Sequence, residues 1–292
     1  MLWQQKSFED NHKGTLYIVP TPIGNLEDMT FRAVRILQEV DMIAAEDTRQ
    51  TKKLLNHFQI RTPLISYHEH NKYTSGPQIV ERLKAGESVA LVSDAGMPGI
   101  SDPGHELVVS ALEERCPVVP LPGANAALTA LVASGLSTNH FCFFGFLERT
   151  KKEKKEQLES LKKIRETMIF YEAPHRMQET LMMMHEVFGE RRVVLCRELT
   201  KRFEEFIRGN LSEIVEWVNI HEIRGEFCIV VEGAKETQED EKTEAWWHSL
   251  TPVEHVEYYI REKNFTTKEA IKQTAKDRNM SKREVYRQYH RQ

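Results

Sequence analysis

SDAGMPGISDPG, Ser93–Gly104, holds three glycines, two prolines and two Ser-Asp pairs in twelve residues, and it follows the apolar run SVALV. That run reads as a buried strand. Glycines after a strand let backbone approach a ligand, and prolines stiffen the path. Gly96, Gly99 and Gly104 admit such an approach. Asp94 and Asp102 can accept hydrogen bonds from hydroxyls or an ammonium group. In open α/β sheets ligands sit beyond the carboxyl ends of strands. No Walker lysine and no GxGxxG is present, so neither a P-loop nor the dinucleotide fingerprint explains the loop. The competing reading is a tight turn that starts a helix at Asp102 or Pro103, and spacing alone leaves both open.

Outward from this loop, β-type runs alternate with helical-period segments. TLYIVP, MIAAED, PLISYH, SVALVSD and CPVVPL read as strands. EDMTFRAVRILQEV, TRQTKKLLNHFQ, QIVERLKAG, HELVVSALEER and ANAALTALVASG read as helices. That order predicts helices packed on a mostly parallel sheet. The pattern then restarts with FCFFGF, TMIFYEA, RRVVLCREL, FEEFIRG and GEFCIVVEG as strands, separated by further helices. The expected organisation is an N-terminal α/β domain over 14–122 and a second over 123–234. An acidic linker follows over 235–250, then a basic helical domain of helix-turn-helix type over 251–292. That tail carries ten Lys/Arg against six Asp/Glu, although the whole chain has a net charge of -4. Its two expected helices, TTKEAIKQTAKDR and SKREVYRQYHR, meet at Asn279-Met280, with Ser281 and Glu284 as a capping box.

The 292 residues, 40% hydrophobic and 29% charged, describe a globular protein with full-sized cores. Cys116, Cys142, Cys196 and Cys228 lie far apart without a CxxC pair, which argues against a zinc ribbon or a disulfide scaffold. No run approaches the ~20 apolar residues of a membrane helix. The N-terminus lacks the apolar segment of a signal peptide. The expectation is a cytoplasmic protein with no membrane and no metal.

Two more Pro/Gly loops follow strands: TPIGN (Thr21–Asn25) and PLPGAN (Pro120–Asn125). Three such loops together favour a ligand site over turns alone. AAEDTR ends the second strand with Glu46, Asp47 and Arg49, which is either a base with a phosphate-binding arginine or a helix cap. For Asp47 alone the cap is favoured. His68 and His70 find no third ligand at matching spacing, so metal is disfavoured. In YEAPHR, Tyr171 can stack on a base or an adenine, and His175 and Arg176 can meet phosphate; a strand-to-helix turn is the alternative. The stretch Arg149–Arg165 has eight basic and three acidic residues. With the tail it offers a track for a nucleic-acid backbone, although a solvated helix face is the commoner meaning of such a run.

Taken in order, TLYIVPTPIGNLEDMTFRAVRIL, AAEDTR, LVSDAGMPGISDPG, VPLPGANAALTALVASGL, FYEAPHR, RELTK and GEFCIVVEG resemble the tetrapyrrole-methylase superfold. Within it they resemble the bacterial small-subunit rRNA (cytidine-2′-O)-methyltransferases, the RsmI type. The likeness runs from about Gly14 to Gly233. It implies two α/β domains with S-adenosylmethionine (SAM) in the cleft between them, a homodimer, and methylation of a cytidine ribose in the decoding region of 16S rRNA.

Carried over motif by motif, the resemblance implies cofactor contacts at Pro22, Ile23 and Gly24, at Asp94, Ala95 and Gly96, at Ile100, Ser101 and Asp102, and at Gly123, Ala124 and Asn125. Tyr171, Gly225, Glu226 and Phe227 join from the second domain. Met97 stands where many relatives have threonine, so a hydroxyl contact there is lost while backbone contacts survive. A 2′-OH attacks poorly until it loses its proton, so Glu46 or Asp47 is the candidate base and Arg49 a candidate phosphate contact. RNA contacts are expected from Arg176, from Lys151, Lys152, Lys154 and Lys155, and from Lys268, Lys272, Lys282, Arg283 and Arg287. Two rival readings are a methyltransferase for a small porphyrin precursor, which needs no basic arm, and a non-catalytic RNA- or ribosome-binding factor.

Overall fold

Two five-stranded sheets carry the N-terminal unit, Met1–Ala234. The computed structural model describes residues 2–7, 13–235, 247 and 249–290. The linker expected over 235–250 therefore lies largely outside the described residues.

The first sheet is wholly parallel, in the order β3-β2-β4-β1-β5. Its strands are β1 (Leu16–Ile18), β2 (Met42–Ala45), β3 (Leu64–Ser66), β4 (Val89–Val92) and β5 (Val118–Pro120). MIAA and VALV are buried along their whole length. That is why they read as continuous apolar runs: both faces of the sheet are covered by helices. The covering helices are α1 (Phe31–Glu39), α2 (Thr48–His57), α3 (Lys72–Lys84) and α4 (His105–Glu113). Thr30 caps α1 and Asp47 caps α2, each side chain accepting a backbone N–H of the first turn.

The second sheet has the order β6-β7-β10-β8-β9. It comprises β6 (Phe141–Phe146), β7 (Thr167–Glu172), β8 (Arg192–Arg197), β9 (Glu205–Asn210) and β10 (Phe227–Val231). Here the parallel expectation does not extend: only β6 and β7 run parallel, and the other pairs are antiparallel. Helices α6 (Lys151–Leu161), α7 (Met177–Phe188) and α8 (Leu211–Ile220) share one core with one face of this sheet. The opposite face meets α5 (Ala126–Ser134). Ala127, Ala130 and Leu131 of α5 pack with Ile169, Val194 and Val230. The helix that leaves the first sheet thus covers the second, and the loops between them are held at the seam.

Within α6 the lysines divide sharply. Lys154 is fully buried, its Nζ donating to Thr180 Oγ1 at 3.0 Å and lying 3.3 Å from Glu179. A phosphate cannot reach it. This corrects the expectation that Lys154 contacts RNA: it is a strut between α6 and α7. Lys151, Lys152 and Lys155 are each ion-paired, to Glu179, Glu156 and Glu186.

The C-terminal unit, Lys235–Gln292, has three described helices: α9 (Pro252–Lys263), α10 (Thr267–Asp277) and α11 (Lys282–Tyr289). Two were expected; α9 is the addition. Its start is written in Thr251-Pro252-Val253-Glu254, a capping box with proline at N1. The core joins Val256, Ala270, Ile271, Ala275 and Val285. Beside it, buried His255 stacks between Trp247 and Tyr259, with ring centroids 5.3 and 5.1 Å away. Arg278 Nε donates to His255 Nδ1 at 3.0 Å. Burial first, then Arg278, pushes the His255 pKa down to about 4. The ring is therefore neutral near pH 7 and able to accept that bond. Lys268, Lys272, Lys282 and Arg283 are exposed. Arg287 pairs with Glu284.

Replacing Lys154 with alanine removes a buried stem and one partner each of Thr180 and Glu179, which keep Glu172 and Lys151. We expect Lys154→Ala to lower unfolding free energy by about 2 kcal/mol. Lys152→Ala should change it by less than about 0.5 kcal/mol. Urea unfolding followed by circular dichroism distinguishes the two.

Candidate active site

The loops after β1, β4 and β5 converge at the carboxyl edge of the first sheet. Their join is a reciprocal bridge: Thr21 N donates to Gly96 O, and Gly96 N to Thr21 O, both at 2.9 Å. The Thr21 hydroxyl adds a bond to the Ser93 carbonyl at 3.1 Å. Gly96 sits at φ +78°, where a Cβ would lie 3.3 Å from Ile23 Cγ2. Ser101, a non-glycine residue at φ +61°, has its hydroxyl against Gly145 of β6. A side chain on Gly24 would collide with Lys201 and lie 2.9 Å from the Leu199 carbonyl oxygen. In this way the β1 and β4 loops of the first half reach the second sheet.

Between them lies a cavity of about 350 Å³. Ile23, Ala95, Gly96, Ile100, Ser101, Asp102, Asn125, Tyr171, Glu226 and Phe227 line it, drawn from both halves. Pro22, Gly24, Asp94, Gly123, Ala124 and Gly225 do not line it; they shape the loops that do. Gly123 packs against Pro20, where a Cβ would meet the ring at 2.8 Å. Asn125 also caps α5, accepting from Leu128 N at 3.0 Å. Residues the sequence reading passed over include Phe146, Glu172, Leu199, Cys196 and Cys228. A signal existed for Glu172: a carboxylate closing an apolar strand just before Ala-Pro. The thiols carried none. Burial pushes Cys196 up to about 12 and Cys228 well above its usual value. Both stay protonated at neutral pH and are walls, not nucleophiles.

The electrostatics of the lining are one-sided. Asp102, Glu172 and Glu226 are its charged residues, and no Lys, Arg or His lines it. Glu172 is buried but satisfied by Thr180 at 2.6 Å, its neighbour Ala173 N at 2.9 Å and Arg176 at 3.3 Å. Glu226 pairs with Lys201. Asp102 is pushed up to about 6 by burial and by the nearby charge of Glu46, with a bond from Ser93 partly offsetting both.

The AEDTR trio lies behind this wall, outside the lining. Glu46 is raised, first by burial and then by Asp94. Asp47 is held down at about 2 by its bonds from Arg49. The Arg49 guanidinium grips both carboxylate oxygens at 3.1 and 2.8 Å, and Arg49 N adds a cap at 2.8 Å. Such an acid is a poor proton acceptor, so the expectation of Asp47 as base is corrected: it is the α2 cap. Asp94 joins the two loops, accepting from Asp47 N at 3.0 Å. Arg176 is equally committed, donating to the Leu147 and Glu148 carbonyls at 2.8 and 2.7 Å and pairing with Glu172. It braces the YEAPHR turn.

The comparisons fit this geometry. Residues 15–215 match the model of the Tetrapyrrole (Corrin/Porphyrin) Methylases. The chain belongs to the tetrapyrrole methylase family. Within it, the chain is 61% identical to Ribosomal RNA small subunit methyltransferase I of Bacillus subtilis (strain 168), covering 99% of each chain. It is 45% identical to the protein of that name from Synechocystis sp. (strain ATCC 27184 / PCC 6803 / Kazusa), over 94% of this chain and 96% of the other. It is thus a tetrapyrrole methylase of the RsmI type. Among solved structures, a diphthine synthase superposes with TM-score 0.61 at 13% identity, covering 78% of this chain and 94% of that one. Uroporphyrin-III C-methyl transferase from Thermus thermophilus complexed with S-adenyl homocysteine superposes at 0.55 and 18% identity, covering 75% and 97%. At such identities these structures support the tetrapyrrole methylase fold alone. Among the described residues no helix is long and apolar enough to cross a membrane, and no three His, Cys, Asp or Glu side chains group as metal ligands do.

Asp102 links stability to pH. Its folded pKa of about 6 exceeds the ordinary 3.8, so ionising it costs the native state. That cost is absent below the ordinary value, grows as pH rises toward 6, and is complete above. Asp102→Asn should therefore melt a few degrees above wild type at neutral pH, and level with it at pH values below about 4. Thermal melts across that range provide the check.

Proposed function

We propose that this protein transfers a methyl group from SAM to the ribose 2′-OH of a cytidine in the decoding region of 16S rRNA, within the small ribosomal subunit. The observation that carries the cofactor assignment is the charge of the cavity. Three carboxylates line it and no cation does; Glu172 and Glu226 are ion-paired with Arg176 and Lys201, which leaves Asp102 as the lining acid without an ion-pair partner. That suits a ligand bearing a sulfonium and an ammonium group and disfavours a polyphosphate. Its volume, about 350 Å³, lies within the range of small-molecule sites. When bound, SAM supplies an electrophilic methyl carbon. The RNA substrate is supported by the name shared by relatives that match this chain along nearly its whole length.

The protein's own groups then divide the work. Gly96 and the Thr21 bridge keep backbone amides and carbonyls close to the ligand. Tyr171, Phe146, Ile100 and Leu199 wall the cavity and exclude water. Asp102 is the proton acceptor for the 2′-OH. With its pKa near 6 it is mainly ionised at neutral pH yet basic enough to take a proton in the transition state. Glu46 acts through it, its charge helping to hold the Asp102 pKa up. A homodimer in the cytoplasm is part of the reading. Leu128 and Val132, one turn apart on α5 and 49% and 74% exposed, are apolar surface that a second subunit would cover.

The test uses methyl-labelled SAM and small subunits from cells lacking this protein, followed by digestion of the RNA. Label is expected in 2′-O-methylcytidine. Label in no nucleoside, or label accepted only by uroporphyrinogen, would replace this reading with a small-molecule one. Gly96→Val places a branched side chain at φ +78° against Ile23 and should weaken SAM binding by at least about tenfold. Asp102→Asn should lower kcat at saturating SAM about 10²–10³-fold, and calorimetry should show weaker SAM binding because the cavity loses a carboxylate. Wild-type kcat should fall as pH drops through about 6, where Asp102 takes up its proton.

A further inference from the structure

A second concavity, of about 680 Å³, runs beside α2 toward the edge strand β3. Leu55 and Ile60, 3% and 5% exposed, form its floor. Arg49, Lys52 and Arg61 stand along it, with Asn56 among its polar groups and no carboxylate in its lining. Lys52 and Arg61 are exposed and make no hydrogen bond or ion pair among the described residues. That sets them apart from the α6 lysines, whose charges are all answered by glutamates. The upper end of the groove is Thr48-Arg49, directly after Asp47. Asp47 is tied through its backbone to Asp94, the neighbour of the cavity-lining Ala95. The groove therefore starts one loop away from the cavity, at the same carboxyl edge of the first sheet, and leads away from it along α2. Ten residues of helix rise about 15 Å, the length of about four stacked nucleotides.

We infer that this groove is a phosphate track for single-stranded RNA flanking the target nucleotide, with Lys52 and Arg61 as its backbone contacts. The inference rests on the RNA-methylating function proposed above. Unpaired cations over an apolar floor, without acids, bind a polyanion by releasing its counterions, and such contacts set register without reading sequence. The track is also on the same unit as the cavity, so it can fix the distance from a held phosphate to the reacting hydroxyl.

The experiment measures methyl transfer to unmodified small subunits by the full-length protein and by Lys52→Gln/Arg61→Gln. Calorimetry with SAM confirms that the variant is folded. Loss of two phosphate contacts should raise KM for subunits about tenfold at physiological salt, with kcat and SAM affinity retained. The slope of log KM against log salt should flatten by about 1.4. Lys53→Gln, on the same helix but outside the groove, should behave as wild type and excludes a general charge effect. A double variant with wild-type KM and salt slope, beside an active wild-type protein, would overturn the groove alone. A wild-type protein that transfers nothing to RNA would overturn the functional reading and the groove with it.

Discussion

The reciprocal hydrogen bonding of Thr21 and Gly96 is the constraint on which the site depends. Thr21 is 3% exposed, so its amide and carbonyl need partners inside the protein. Gly96 supplies both, and the Thr21 hydroxyl reaches Ser93 besides. The loops after β1 and β4 thereby become one piece of backbone. Ile23 and Gly24 are aimed at Leu199–Lys201 of the opposite half, and Ala95 and Gly96 form the cavity floor. A parallel sheet places β1 beside β4 although Leu16 and its register partner Val89 are 73 positions apart in sequence. Only that adjacency brings the two short motifs together.

Charge placement follows from the same seam. Carboxylates gather at the carboxyl edge of the first sheet, where Glu46, Asp94 and Asp102 feel one another. Each is treated differently by its surroundings. Asp47 is neutralised by Arg49 and Glu172 by Arg176, Thr180 and backbone, whereas Asp102 faces the cavity with only Ser93 to support its charge. Separated pKa values among neighbouring acids are what proton-transfer sites require. Cations reach this seam as ion-pair partners, Arg49 of Asp47, Arg176 of Glu172 and Lys201 of Glu226, while others lie on α6 in ion pairs, in the groove along α2 and on the exposed helices of the C-terminal unit.

The sequence by itself determined the order of elements in the N-terminal unit, because apolar runs and helical stripes are local signals of burial on one face or two. It marked the three Pro/Gly loops, since proline and glycine act on their own φ angles, and it identified the family through those loops in series. It also carried the caps: Asp47, Asn125, Ser281 and the overlooked Thr251 each satisfy amides within three residues. Tertiary structure decided what depends on distant partners. Lys154 is buried because Glu179 and Thr180 on α7 receive it, while its neighbours in the same basic run stay outside. The second sheet turns antiparallel where β10 inserts between β7 and β8, a pairing of β10 with segments far from it in sequence, and again where β8 and β9 pair as neighbours in the chain. Asp102 outranks Asp47 as a base for the same reason. Identical carboxylates differ through burial and through the charges around them, and those are set by chain segments far apart in sequence.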